Sequence, residues 1–342
     1  MQILDGEFIN EGAGKKSEGG TEIMANRILS LGKEELKDFQ IVVSRVEEDL
    51  DENKIRVLYL HDLPEDSNRH LAEGGWRNWH KLVFVSNWQM QLFINVYDIP
   101  WSRCIVMQNA IDPFEPKCVE DKWNNIDKIR LIYHPTPHRG LEILVPVFDK
   151  LCERFDNLEL DVYSSFQLYG WGERDKQYEK LFEQCEDHEK INYHASQPNS
   201  VIRESLSKAH IFAYPSIWPE TSCLCLMEAM SAGCMSIHSN YGALAETSAN
   251  WTDQYHYTEN KEEHARLFYT VMVNAIEDMQ NLPTELTFKK LMTQKNYVDI
   301  FYSWKPNREM QWKALLGMLR TQITDRSPEQ PKNEEVFSYS MG

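Results

Sequence analysis

Two glutamates eight positions apart carry the most chemistry in this chain. The stretch Ile211-Phe-Ala-Tyr-Pro-Ser-Ile-Trp-Pro-Glu220-Thr-Ser-Cys-Leu-Cys-Leu-Met-Glu228-Ala-Met-Ser-Ala-Gly233 reads as a strand, a proline-containing loop, and a helix that stops at glycine. The helical part is apolar nearly all round (Leu224, Cys225, Leu226, Met227, Ala229, Met230, Ala232), which marks an element buried on most faces. Glu228 stands in its middle, with almost no solvated face to occupy. A buried carboxylate without partners costs several kcal/mol, so Glu228 calls for dedicated donors, either ligand hydroxyls or a protein cation. Glu220 lies in the loop before the helix, between Pro219 and Thr221. Eight helical residues span ~12 Å, about the length of a sugar diphosphate–ribose unit, so one acidic acceptor could serve each end.

Two further segments suit a diphosphate. Gly19-Gly20 precedes a helix expected from about Thr21, with Glu22 in its first turn, and free N–H groups at a helix start attract anions. The plain alternative is a flexible loop, since residues 11–20 are rich in Gly, Lys and Ser. In His134-Pro-Thr-Pro-His138-Arg139-Gly140, Arg139 falls at a helix N-terminus, the end where the dipole disfavours a cation. A phosphate held between them would justify it, because guanidinium suits bidentate phosphate contact; an exposed surface Arg is the alternative. Val57–Leu60 runs as a strand into His61-Asp62, where Asp62 could fix the histidine tautomer. Ser86, Asn87 and Trp88 follow another strand end and extend the same wall. Trp76, Trp79 and His80 offer a sugar-stacking surface or simple packing.

Pro-Glu-Thr-x6-Glu-Ala-Met-x-Ala-Gly resembles the Glu-x7-Glu signature of retaining glycosyltransferases of the GT-B fold, family 4 in particular. Weaker matches follow in the expected order. Gly19-Gly20-Thr21-Glu22 resembles the N-terminal GGxE loop, and Val106-Met-Gln-Asn109-Ala-Ile-Asp112 the turn into the linker. Arg139-Gly140-Leu141 is similar to the "K-G-L" opening the second domain's first helix, and Asn240-Tyr-Gly242-Ala-Leu-Ala-Glu246 to the "G-G-x-x-E" loop. The resemblance covers about Gly19 to Leu316.

It implies transfer of a sugar from a nucleotide-diphosphate sugar to a glycan or glycoconjugate, with the anomeric configuration kept and no metal or other cofactor. Glu228 would accept from ribose hydroxyls and Glu220 from sugar hydroxyls near the reacting centre. Arg139, with the Gly19 and Gly20 amides, would stabilise charge on the leaving diphosphate. Thr221 and Ser222 complete the donor side. His61 would lie near the transferred sugar, and Asp62, Asn87 and Trp88 on the acceptor side. One departure stands out: the family's extra Arg, some six residues before Arg139, is Tyr133 here, leaving His134, His138 or Thr136 to substitute.

The elements around these motifs alternate short apolar runs with amphipathic stretches, the pattern of βα units on parallel sheets. Strands are expected near Gln2–Leu4, Phe39–Ser44, Arg56–Leu60, Lys81–Val85 and Cys104–Met107, then at Arg130–Tyr133, Leu158–Tyr163, Ile191–Tyr193, Ile211–Tyr214 and Met235–His238. Helices fit between them, among these about Asn87–Tyr97. The fold expected is α/β, GT-B: two Rossmann-like domains facing across a cleft, with a C-terminal helix returning to the first. Residues 1–115 form the first domain, 116–128 a linker, 129–305 the nucleotide-sugar domain, 306–320 the crossover helix and 321–342 a flexible tail.

Composition narrows the class. The chain has 342 residues, 42% of them hydrophobic, so it can bury substantial cores. A net charge of −17 argues against a broad nucleic-acid surface. No run approaches the ~18 apolar residues of a membrane span, and no secretory leader is visible. Seven cysteines with no CxxC pair suggest a reduced, cytoplasmic protein. Asp49-Leu50-Asp51 is formally a DxD metal triplet, yet it sits in the acidic run of residues 47–52, where a solvated loop explains it better. Cys223, Cys225, Cys234 and His238 lack zinc spacing, and Ser216 and Ser222 lack a nucleophile elbow. Two other classes fit the same fold: a sugar-nucleotide epimerase and a catalytically silent carbohydrate-binding protein.

Overall fold

Strands such as Phe39-Gln-Ile-Val-Val and Ile55-Arg-Val-Leu-Tyr-Leu are buried at every position, as strands covered by helices on both faces must be. The computed structural model describes residues 1–9, 19–46, 49–123, 126–281 and 284–322. Among them, the first sheet contains β1 (Gln2–Leu4), β2 (Glu7–Ile9), β3 (Phe39–Val43), β4 (Ile55–Leu60), β5 (Lys81–Phe84) and β6 (Cys104–Val106), in the order β2-β1-β3-β4-β5-β6. β1 pairs antiparallel with β2 and β3, and the remaining pairs are parallel. The helices of this half are α1 (Gly20–Leu29), the short α2 (Lys33–Leu36) and α3 (Asn87–Tyr97).

α4 (Pro116–Trp123) comes next, followed by the second sheet: β7 (Ile129–Tyr133), β8 (Leu158–Val162), β9 (Ile191–Tyr193), β10 (Ile211–Tyr214), β11 (Met235–Ser239) and β12 (Asp253–Tyr255). Its order is β12-β11-β10-β7-β8-β9, parallel throughout. Around it lie α5 (Leu141–Cys152), α6 (Glu179–Asp187), α7 (Asn199–Leu206), α8 (Leu224–Ser231), α9 (Leu244–Ser248), α10 (Lys261–Asn281), α11 (Thr284–Phe301) and α12 (Glu309–Gln322). This is the GT-B architecture, two Rossmann-like halves with a final helix that returns.

The return is a packing event. Trp304, Trp312, Leu315, Leu316 and Leu319 join the core that α1 makes with β1, β3 and β4, and the Trp312 ring meets Tyr59 edge-on at 5.0 Å. Two chain crossings therefore connect the halves side by side. Ile111 of the outgoing segment bridges Ser303 of the incoming one, with Ile111 N donating to Tyr302 O at 2.7 Å and Trp304 N to Ile111 O at 2.8 Å.

Residues 116–123, expected as linker, are helical instead: Val119 and Trp123 of α4 bury in the second core, which gives the segment a reason to fold. β2 is an addition to the expected strands. Its two-residue turn, Asp5-Gly6 with φ of 49° and 81°, is the Asp-Gly hairpin geometry. Of the expected tail, residues 323–342 lie outside the described residues.

Candidate active site

The site forms where the C-terminal ends of the strands in both sheets face each other. β10 ends at Tyr214, and the Pro-rich loop carries Glu220 back beneath it. Gly242 holds that loop: it pairs with Glu220 as a β-bridge at φ 67°, and a Cβ there would sit 2.5 Å from the Glu220 carbonyl oxygen. Gly140 makes a second close approach, at φ 132°, where a Cβ would lie 2.2 Å from the Pro215 carbonyl oxygen. The glycine of Arg139-Gly140 thus lets α5 begin directly against the Glu220 loop.

Glu220 is buried, at 4% exposure, and its Oε1 takes two donors, the Arg139 Nη1 and the Tyr214 hydroxyl. The expected diphosphate cation is therefore ion-paired with the loop carboxylate. Burial works against the Arg139 charge, but Glu220 outweighs it and raises the guanidinium well above its ordinary range. Burial, then the Glu220 charge, raise the Tyr214 hydroxyl, which remains a proton donor. Tyr133, in the place of the family's extra cation, turns its hydroxyl to the Thr136 carbonyl at 3.0 Å.

Glu228, at 8% exposure, has protein donors from α7. Arg203 Nη1 reaches its Oε1 at 3.0 Å, and Asn199 Nδ2 reaches Oε2 at 3.2 Å and Oε1 at 3.4 Å. Sequence reasoning misses Asn199 and Arg203, although an i,i+4 pair of donors on a helix is a usable signal once a buried Glu needs partners.

The first domain closes over this loop. Thr221 Oγ1 donates to the His61 carbonyl at 2.8 Å, and Asn109 Nδ2 to the Ser222 carbonyl at 3.0 Å. The Gly19-Gly20 start of α1 abuts the second domain: a Cβ on Gly19 would lie 2.4 Å from the Tyr169 ring, and one on Gly20 3.2 Å from Leu224. Gly19, Gly20, His61, Arg139, Glu220, Thr221, Ser222 and Glu228 thus come together around one cleft. The acceptor-side group is positioned otherwise. Asp62 faces Arg45, with its Oδ2 3.6 Å from Nε, and does not reach the His61 ring. Asn87 and Trp88 give their backbone N–H groups to Glu246 at 2.9 and 3.0 Å. Trp76 and Trp79 are packed into the first domain's second core cluster, so they form no sugar-stacking surface.

Several buried polar atoms around the cleft lack a protein partner among the described residues: His61 Nε2, His134 Nε2, Thr136 Oγ1, His138 Nδ1 and Ser222 Oγ. Buried polar atoms are normally satisfied, so these orphans, drawn from both domains, are open to a polar ligand. His61 is held neutral, pushed down by burial to about 3. His138 stacks on Phe166 at 5.1 Å and is lowered to about 4 by burial and then by Arg139 and Arg174. His134 lines a small pocket of about 20 Å³, open to solvent, with Pro135, Thr136, Ser165, Gln197 and Ile202. Among the described residues, no group of three or more His, Cys, Asp or Glu side chains could hold a metal ion. No helix among them is long and apolar enough to cross a membrane.

Known proteins share this fold. Residues 129–282 match the family described as Glycosyl transferases group 1. A stretch of 150 residues, 42% of the chain, is 25% identical to a phosphatidylinositol N-acetylglucosaminyltransferase component of Arabidopsis thaliana, and spans about a third of that relative, 31% of its length. Among solved structures, a glycosyltransferase from Rickettsia africae superposes with a TM-score of 0.65 at 16% identity, covering 93% of this chain and 85% of the other. Anabaena HepE in complex with UDP-glucose gives 0.57 at 13% identity, covering 89% and 77%. Residues 129–282 of this chain are accordingly similar to group 1 glycosyl transferases, and the whole has the two-domain GT-B fold of these structures.

Proposed function

We propose that the protein transfers a sugar from a nucleotide-diphosphate sugar to a glycan or glycoconjugate acceptor, retaining the anomeric configuration. The observation that carries this reading is the cleft itself: two buried carboxylates, each already oriented by protein donors, flanked by unpartnered polar atoms from both domains. The nucleoside lies over the pocket beside His134, with its ribose diol donating to Glu228, whose Oε2 already takes the 3.2 Å Asn199 contact. The sugar lies toward Glu220. Arg139 and Tyr214 hold Oε1, which leaves Oε2 to accept from sugar hydroxyls. As the diphosphate departs, Arg139 and the Gly19 and Gly20 amides stabilise its charge, a task that needs no metal ion. His61, neutral at the tip of β4, donates toward the sugar. The similar proteins support the donor class: HepE was crystallised with UDP-glucose, and the Arabidopsis relative belongs by name to an N-acetylglucosaminyltransferase.

The test is a thermal-shift screen of UDP, GDP, ADP and their sugar conjugates, followed by transfer assays with the donor found. Ligand at a hundredfold excess over Kd stabilises by about 2.7 kcal/mol, enough to raise Tm by several degrees. Glu228→Gln should lose that shift and most of the turnover, and the wild-type rate should persist in EDTA. A Glu228→Gln protein with normal nucleotide affinity and turnover overturns the assignment. Product formed without any acceptor would favour the epimerase class instead.

A further inference from the structure

Arg203 has contacts that the donor site alone does not require. Its Nη1 bonds Glu228 at 3.0 Å, while its Nη2 bonds the Asp112 carbonyl at 2.9 Å. Its guanidinium also lies 3.9 Å over the Phe114 ring. Asp112 and Phe114 belong to the outgoing crossing, whose Ile111 bridges Ser303 of the returning one. One planar group thus joins the carboxylate in the second domain to the segment that links the two domains. The network continues into the first domain: Asp112 Oδ2 pairs with Arg27 Nη2 at 3.0 Å, and Arg27 also donates to the Ala110 carbonyl. Arg27 lies in the last turn of α1, the helix that begins at Gly20 beside Leu224.

We propose that Arg203 is a positioning residue that couples nucleotide binding at Glu228 to the angle between the two domains. The inference rests on the ribose assignment for Glu228. The fork geometry of guanidinium allows both bonds at once, each directed to a different partner. With the crossing in its closed path, the carbonyl of Asp112 sets the guanidinium plane, and that plane fixes the Glu228 carboxylate for the ribose diol. A crossing that swings away takes the guanidinium with it and leaves Glu228 misaligned. By reciprocity, nucleotide bound at Glu228 favours the closed path.

The experiment uses the full chain with UDP, GDP and ADP as probes. Affinity is read by calorimetry and domain closure by the change in radius of gyration in solution scattering. Arg203→Gln should weaken the preferred nucleotide about tenfold, and at saturation should fail to reach the wild-type compaction. Arg203→Lys keeps the charge but cannot serve two partners in a plane, so it should recover part of the affinity without the compaction. Wild-type affinity in Arg203→Gln, or full compaction in either variant at saturation, overturns the coupling. The two readings separate cleanly. If the wild type binds no nucleoside diphosphate, the ribose assignment falls and the coupling with it. If the wild type binds, and Glu228→Gln weakens binding while Arg203→Gln does not, only the coupling falls.

Discussion

At the scale of single residues, Tyr214 is the most informative group outside the sequence motifs. It is fully buried, and its hydroxyl shares Glu220 Oε1 with Arg139. Two donors on one oxygen fix the carboxylate rotamer more tightly than either alone. Tyr214→Phe removes one of them without opening a cavity, and a hydrogen bond to a charged group contributes about 1.5–3 kcal/mol. Steady-state kinetics of the variant should show kcat reduced by about tenfold or more with little change in KM for the donor. An unchanged kcat would mean that Arg139 alone orients Glu220. The motif residues are legible because their spacing is local. Tyr214 is not, since a tyrosine ending an apolar strand looks like core until the loop is seen to fold back beneath it.

At the scale of elements, α3 begins with its orphan N–H groups shared across the two domains. Ser86 Oγ, the N-cap, accepts from Gln89 N at 3.1 Å, and Glu246 from α9 accepts from Asn87 N, Asn87 Nδ2 and Trp88 N. Gln108 Nε2 adds a contact at 3.3 Å. A carboxylate at a helix N-terminus is favoured by both the dipole and the free amides, so this contact ties the halves together across the cleft. Glu246→Ala should leave each core intact but enlarge the radius of gyration of the nucleotide-free protein, at a stability cost of about 1–2 kcal/mol. Solution scattering indistinguishable from wild type would show that the crossings alone set the spacing. The Asn87–Tyr97 helix is legible at its true bounds, because a serine cap and an apolar period mark it. The partner of its N-terminus is hidden, lying 159 residues away in sequence. β12 and α11 escape for another reason: β12 has three residues and α11 no strong apolar face to announce it.

At the scale of the whole molecule, buried neutral histidines set how stability follows pH. Burial is the main cause of lowering in His61, to about 3, and in His138, His210 and His238, to about 4. Their ordinary value is 6.5, so the unfolded chain takes up protons first as pH falls. Stability is therefore full above about pH 6.5 and declines toward pH 4, by on the order of 1 kcal/mol per ring per pH unit. His134 runs the other way, being raised against burial by Cys225 and Glu228, but His70 and His264 are lowered too, so among the described residues it is one ring against six. Tm should fall steeply between pH 6.5 and pH 5; a flat profile would show that these rings protonate freely in the folded state. The two-domain plan is legible because hydrophobic alternation reports layers directly. The exact border is not: α4 reads as a Pro- and Asn-marked connection and becomes helix only by docking Val119 and Trp123. The returning helix has a consequence for biosynthesis. Trp304, Trp312 and Leu316 complete the core built on β1, β3 and β4, so that core lacks one of its walls while the ribosome is still making the second domain. The half that is synthesised first is the half that finishes folding last, and chaperones would meet its uncovered sheet throughout that interval.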